Sequence, residues 1–348
     1  MRILKIGITH GDINGIGYEL ILKLLQEPEI LEICTPIIFG CKHVADATAD
    51  ALGLNRLPFN LCESAEHILE GRINLVDVCK DEVPTLQFGQ QTEEALKAEA
   101  QSLTAALEAF RDHEIDVLVT LPGHLSNTDG SHSLTSFISR SFGMTEARIF
   151  DWVINGKIRA LELHAFETST EMGEALAAEA FLQDVTALSQ SLRQDFQLMR
   201  PRIAVATNIE KIRGDLAELH EAGITAFGPF SGKTLVDNHW QEHYDACFFL
   251  NEDEALKHVM DDQEPENTIG YVSGLPLVLT YPMLGICYEQ AGKNEMSECS
   301  LRQCIYTAID IYRARTGYRY FTRSPLEKQW IPRGRDDFKL DLTKDSEE

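Results

Sequence analysis

Cations are scarce in this chain. Lys and Arg number 31 against 55 Asp and Glu, a formal charge of −24. A field of that sign repels phosphate backbones and anionic membranes, which argues against nucleic-acid and membrane partners. Long apolar runs are missing as well: no stretch approaches the ~18 uninterrupted apolar residues of a membrane span. The opening MRILKIGITHGD carries no apolar h-region of a secretory leader. No C-x-x-C pair occurs among the eight cysteines at 34, 41, 62, 79, 247, 287, 299 and 304. Several sit in apolar runs, Cys247 in ACFFL for instance, and they read as reduced core thiols of a cytoplasmic protein. Internal repeats and low-complexity tracts are absent.

What is present is ordinary globular material, 44% hydrophobic and 25% charged over 348 residues. That length suggests two domains on a prior of ~150 residues each. Strand-like and helix-like segments alternate. Residues 3–8, 35–39, 74–78 and 115–120 read as strands, and 18–25, 42–52 and 93–111 as helices. The run IDVLVT at 115–120 is apolar throughout, as in a buried parallel strand. Gly123 to Ser133 is a polar loop. The runs 149–154 and 158–163, separated by Asn155-Gly156-Lys157, predict a hairpin. Further helices are expected at 171–192, 210–221, 252–260 and 301–315, and strands at 203–206, 246–250 and 275–279. The fold class is α/β with a mainly parallel sheet. Residues 333–348 are charged, lack periodicity and read as a disordered tail.

One stretch carries chemistry. Residues 6–23, IGITHGDINGIGYELILK, run from strand through Gly11, Gly15 and Gly17 into a helix start. Glycine permits close backbone approach, and a helix N-terminus offers unpaired N–H groups to an anion. The spacing is G-x-x-x-G-x-G rather than the dinucleotide G-x-G-x-x-G, and a tight turn without ligand has the same pattern. His239 and His243 lie four apart, which on a helix would put both on one face. Trp240 stands where a zinc-protease helix carries Glu, so the pair is a weak metal candidate.

ITHGDINGIGYE resembles the N-terminal signature of the 4-hydroxythreonine-4-phosphate dehydrogenase (PdxA) family. So do IDVLVTLP (115–122), LRQDFQLMRPRIAV (192–205), FGPF (227–230), HYDA (243–246), GLPLVLT (274–280) and AGKNEMSECSLRQCIYTAIDIYRAR (291–315). The resemblance implies a two-domain α/β/α fold like the isocitrate and isopropylmalate dehydrogenases. It places residues 1–126 plus 272–332 in a first domain and 127–271 in a second domain with the dimer interface. It implies a homodimer, with NAD and a divalent metal (Zn, Mg or Mn) oxidising a phosphorylated hydroxy amino acid on the way to pyridoxal phosphate.

Residue by residue, the match is uneven. His164 in LELHAF keeps the first of three family metal histidines. Glu210 (or Lys211, by register) and Glu252 stand at the other two, and Asp253 is retained as a catalytic candidate. One imidazole and two carboxylates still suit a divalent metal. In the family's phosphate and carboxylate clamp only Thr135 survives. Leu134 replaces a histidine, Met260 a lysine, Gly270 an asparagine and Leu279 an arginine. The cofactor side is implied at Gly11, Asp12, Gly15 and Gly17, and in YPMLGICYEQAG at Gly285, Tyr288 and Gly292. There Leu284 replaces a histidine and Ile286 a threonine. The expected function is a divergent family dehydrogenase, its reaction impaired or altered in substrate. The alternative is an inactive paralogue that binds a small molecule or pairs with an active family member as a heterodimer.

Overall fold

The computed structural model describes residues 2–80, 83–124, 134–144, 149–155, 158–164, 174–207, 212–250, 257 and 264–323. The chain opens with β1 (Leu4–Thr9), α1 (Gly17–Leu25), α2 (Ile30–Ile33), β2 (Cys34–Gly40), α3 (Lys42–Leu52), β3 (Asn60–Cys62) and β4 (Asn74–Asp77). It continues through α4 (Glu93–Arg111), β5 (Val117–Thr120), α5 (Leu134–Ser141), β6 (Ile149–Asn155), β7 (Ile158–His164), α6 (Glu174–Asp195) and β8 (Arg202–Ala206). There follow α7 (Ile212–Glu221), β9 (Thr225–Phe230), α8 (Gly232–Asp237), β10 (Ala246–Phe249), β11 (Ile269–Ser273), β12 (Leu279–Pro282) and α9 (Cys299–Thr322).

All described strands join one twelve-stranded sheet in the order β3-β4-β2-β1-β5-β12-β11-β6-β7-β10-β8-β9. The first block, β3 to β12, is parallel. The last block, β7-β10-β8-β9, is parallel too. Antiparallel β11 and β6 join them. Strands β2 and β5 are buried at every position, which is why they read as unbroken apolar runs. Helix α4 starts where Thr92 accepts the Ala95 N–H, with Glu93 and Glu94 in its first turn and Arg111 in its last. Helix α9 packs a stripe of Leu301, Cys304, Ile305, Ala308 and Ile311 against the core.

Three expectations need correction. The late strand starts at Leu279 rather than 275. Leu275, Leu277 and Val278 are a buried lead-in, and the apolar run alone does not separate lead-in from ladder. His239 and His243 share no helix face. His239 is in the left-handed region (φ 53°), and only a single 3₁₀ turn, Trp240–Glu242, lies between them. The cysteines are not all reduced: Cys41 and Cys79 form a disulfide, because the adjacent parallel strands β2 and β4 end side by side and bring their Cα atoms to 5.4 Å. Strand β11 went unread in the sequence and closes the antiparallel seam. The expected helix at 252–260 and the tail 333–348 lie outside the described residues. Among the described residues no helix is long and apolar enough to cross a membrane.

Candidate functional site

The carboxyl ends of β1, β5 and β12 are neighbours, and ligands of open α/β sheets bind outside such ends. The glycine turn leaves β1 here. A Cβ at Gly17 would lie 1.9 Å from the His10 carbonyl oxygen, and one at Gly11 (φ +65°) 2.2 Å from that of Pro122. Both positions therefore demand glycine for close packing. Residues 4–22 are buried except Lys5, so the turn lies beneath its neighbours.

Asp12 is the centre of that turn and is fully buried. Its Oδ1 accepts the Asn14 N–H at 2.7 Å, and its Oδ2 accepts the Tyr288 hydroxyl at 2.6 Å. Burial, then the Asp12 carboxylate, hold the Tyr288 phenol above its usual range, so it stays a donor. His124, four residues past β5, places Nε2 2.8 Å from the Tyr288 oxygen and 3.3 Å from Asp12 Oδ2. The His124 amide donates to Glu99 Oε2 at 3.0 Å, and Glu99 comes from α4. Three strand ends thus share one hydrogen-bonded cluster. Asn14 ties the turn to the connection before α4: its Nδ2 donates to Gln90 O at 2.9 Å, and its Oδ1 accepts the Gln87 N–H at 2.7 Å. His10 stacks on Tyr18 at 5.2 Å between centroids, and burial pushes its imidazole down to about 4.

These bonds bear on a dinucleotide. The amides of Asp12, Asn14 and Gly15 are already used, on Pro122 O, Asp12 Oδ1 and Asp12 O. In this arrangement those three amides are closed to a nucleotide phosphate. Gly285 is exposed and Tyr288 and Gly292 are partly so, but the Tyr288 hydroxyl is spent on Asp12. A cleft of about 240 Å³ opens beside this loop, lined by Leu121, Pro122, Tyr281, Pro282, Met283, Leu284 and Gly285. None of these residues is charged.

The clamp positions lie elsewhere. Leu134, on α5, and Leu279, on β12, belong to one hydrophobic cluster that also holds Ile138, Ile149 and Val272. Thr135 is buried beside Leu134 at 6% exposure. Gly270 faces Tyr281 across the β11–β12 ladder, and a Cβ there would meet Tyr281 Cζ at 2.1 Å. The Tyr281 ring fills the room a side chain at 270 would need, and its hydroxyl donates to Asp151. His164 is the last residue of β7, its Cα paired with that of Ile149. Glu210, Glu252 and Asp253 lie outside the described residues. The strands that lead into 164, 210 and 252 are adjacent, in the order β7-β10-β8. Among the described residues no three His, Cys, Asp or Glu side chains are grouped to hold a metal ion. The sequence reading missed His124, Glu99 and Asn14. His124 follows LVTLPG directly, and a polar residue just after a buried parallel strand was the available signal.

Comparison with known proteins bears on the family and the fold. The chain is 31% identical to a 4-hydroxythreonine-4-phosphate dehydrogenase of Bacteroides thetaiotaomicron, over 97% of each. It is 24% identical to one from Desulforapulum autotrophicum, over 87% of this chain and 94% of that one. A crystal structure of the Klebsiella pneumoniae enzyme of that name superposes with TM-score 0.67 at 18% identity, covering 89% of this chain and 99% of that one. The family model for pyridoxal phosphate biosynthetic protein PdxA matches residues 32–308. With a match of that extent, the chain belongs to the PdxA family.

Proposed function

We propose that this chain is a divergent PdxA-family dehydrogenase whose reaction is altered in substrate or impaired. One observation carries the reading: Leu134 and Leu279, at two positions of the family's anion clamp, are packed in a common core cluster at 7% and 0% exposure. Losing the lysine and arginine of the clamp removes charge-assisted bonds, each worth ~1.5–3 kcal/mol. The Tyr281 ring over Gly270 and the uncharged cleft at Leu121 and Leu284 point the same way. The substrate class this favours is a hydroxy compound with less negative charge than a phosphate ester.

A divalent metal would be held by His164, Glu210 and Glu252, at or just after the ends of neighbouring strands, and would polarise a substrate hydroxyl or carbonyl. On this reading the domains are 1–126 plus 272–332 and 127–271, two copies pair, and the protein works in the cytoplasm. A second reading, an inactive paralogue that pairs with an active family member, is favoured by the glycine turn, where the amides of Asp12, Asn14 and Gly15 are spent within the protein.

The test is NADH formation from 4-hydroxythreonine 4-phosphate with Zn²⁺, Mg²⁺ or Mn²⁺ added in turn. The reading expects little or none. Turnover at the ordinary enzyme range of ~10⁴ M⁻¹s⁻¹ or above in kcat/KM would overturn it. A thermal shift with NAD and elemental analysis of the purified protein then separate an altered enzyme from an inactive one.

A further inference from the structure

The disulfide joins two strand ends beside the signature turn. Cys41 follows β2 directly and Cys79 lies two residues past β4, so the bond staples neighbouring parallel strands at their carboxyl ends. The other six cysteines form no disulfide, and four of them are buried. Cys41 is wired to the turn through Tyr18. Its N–H donates to the Tyr18 hydroxyl at 2.7 Å, and that hydroxyl donates back to the Cys41 carbonyl at 3.3 Å. Tyr18 stacks on His10, whose Nδ1 lies 2.7 Å from Gly11 O. On the other side, Cys79 begins the connection whose far end covers Asn14 through Gln87, Gly89 and Gln90.

We propose that Cys41–Cys79 is a redox latch whose reduction loosens the 10–18 turn. A dithiol supplies the two electrons: one of its thiolates attacks a protein sulfur, and its second thiol resolves the mixed disulfide. Cys41 and Cys79 leave as thiols carrying the two protons, and the reductant leaves as its own disulfide. The steric consequence follows from burial. Cys41 and Cys79 are 1% and 3% exposed. Reduction removes the covalent tie between the ends of β2 and β4 and leaves two separate thiols in a close-packed interior, which gives way by backbone movement. Cys41 then shifts relative to Tyr18, and the stack on His10 shifts with it.

The test uses the full-length protein without mutation first. Unfolded under non-reducing conditions and alkylated, it should take up six labels against the eight cysteines present, rising to eight after dithiothreitol. Native protein should lose melting temperature on adding dithiothreitol, with faster hydrogen exchange in residues 10–18. The Cys41→Ala/Cys79→Ala variant should respond to dithiothreitol in neither measurement. Eight labels without reductant would show there is no latch. A disulfide whose reduction leaves exchange at 10–18 unchanged would reduce it to a staple and overturn the proposal. Tyr18→Phe gives an independent arm: its melting temperature should still fall on reduction, while the exchange response at 10–18 should shrink to the part carried through Gln87, Gly89 and Gln90 onto Asn14.

Discussion

Tyr288 donates its hydroxyl proton to Asp12 Oδ2 across 2.6 Å, joining residues 276 apart in sequence. Asp12 is fully buried, so this donor and the His124 ring beside it offset much of the cost of desolvating the carboxylate. Tyr288→Phe keeps the ring and removes the donor. The expected loss is ~1–3 kcal/mol in urea unfolding, the cost of under-satisfying a buried polar group. Wild-type stability in Tyr288→Phe would show that the loop is held by packing alone.

His10 sets a pH dependence. Its pKa is lowered by burial from 6.5 to about 4 in the native state. Above pH 6.5 both states hold it neutral. As pH falls from 6.5 toward 4 the unfolded chain binds a proton that the native chain refuses, so stability falls through that window. The slope from this group is at most ~1.4 kcal/mol per pH unit. His10→Phe should flatten unfolding free energy measured between those pH values, whatever it does to absolute stability.

Gly270 and Tyr281 should behave as a coupled pair. Gly270→Asn forces a side chain into the Tyr281 ring and should cost ~2–3 kcal/mol as overpacking. Tyr281→Ser opens that space and should lose packing on its own. The double variant should be more stable than the sum of the two losses predicts, by ~0.5–3 kcal/mol in a double-mutant cycle. Additive losses would mean that Tyr281 does not occupy the space of the missing side chain.

Arg315 is the buried tie between α9, α6 and β11. Its Nε donates to Asp195 Oδ1 at 2.8 Å and its Nη2 to the Tyr271 hydroxyl at 2.8 Å, while Nη1 reaches the Leu275 and Leu277 carbonyls. Arg315→Met strands Asp195, which is 3% exposed, and should cost ~3–5 kcal/mol in denaturant unfolding. Arg315→Met/Asp195→Leu should recover part of that loss, since the uncompensated charge is gone.

Much of the first half of the fold was legible in the sequence. Strands β2 and β5 are continuous apolar runs because both faces are covered, and α4 shows the 3-4 spacing of Leu96, Ala100, Leu103, Ala106 and Leu107. Strand β11 was not, because IGYVS is short and contains a glycine whose role is to admit the Tyr281 ring. The Gly11, Gly15 and Gly17 pattern was legible as a turn, but its burial was not. The contacts that cover it come from residues 87–92, 121–124 and 285–292, and no local pattern reports them. The disulfide was hidden for the same reason, as it depends on β2 and β4 being neighbours. The replacements at the clamp positions that the resemblance implies were visible residue by residue. That Leu134 and Leu279 share one cluster required the fold.

The most direct test is the dissociation constant of 4-hydroxythreonine 4-phosphate, measured by calorimetry with NAD and a divalent metal present. With Leu134 and Leu279 in the core, binding should be ~10²–10⁴-fold weaker than to a relative that keeps the cationic clamp. Affinity equal to that of such a relative would contradict the claim that this chain has given up its phosphate site.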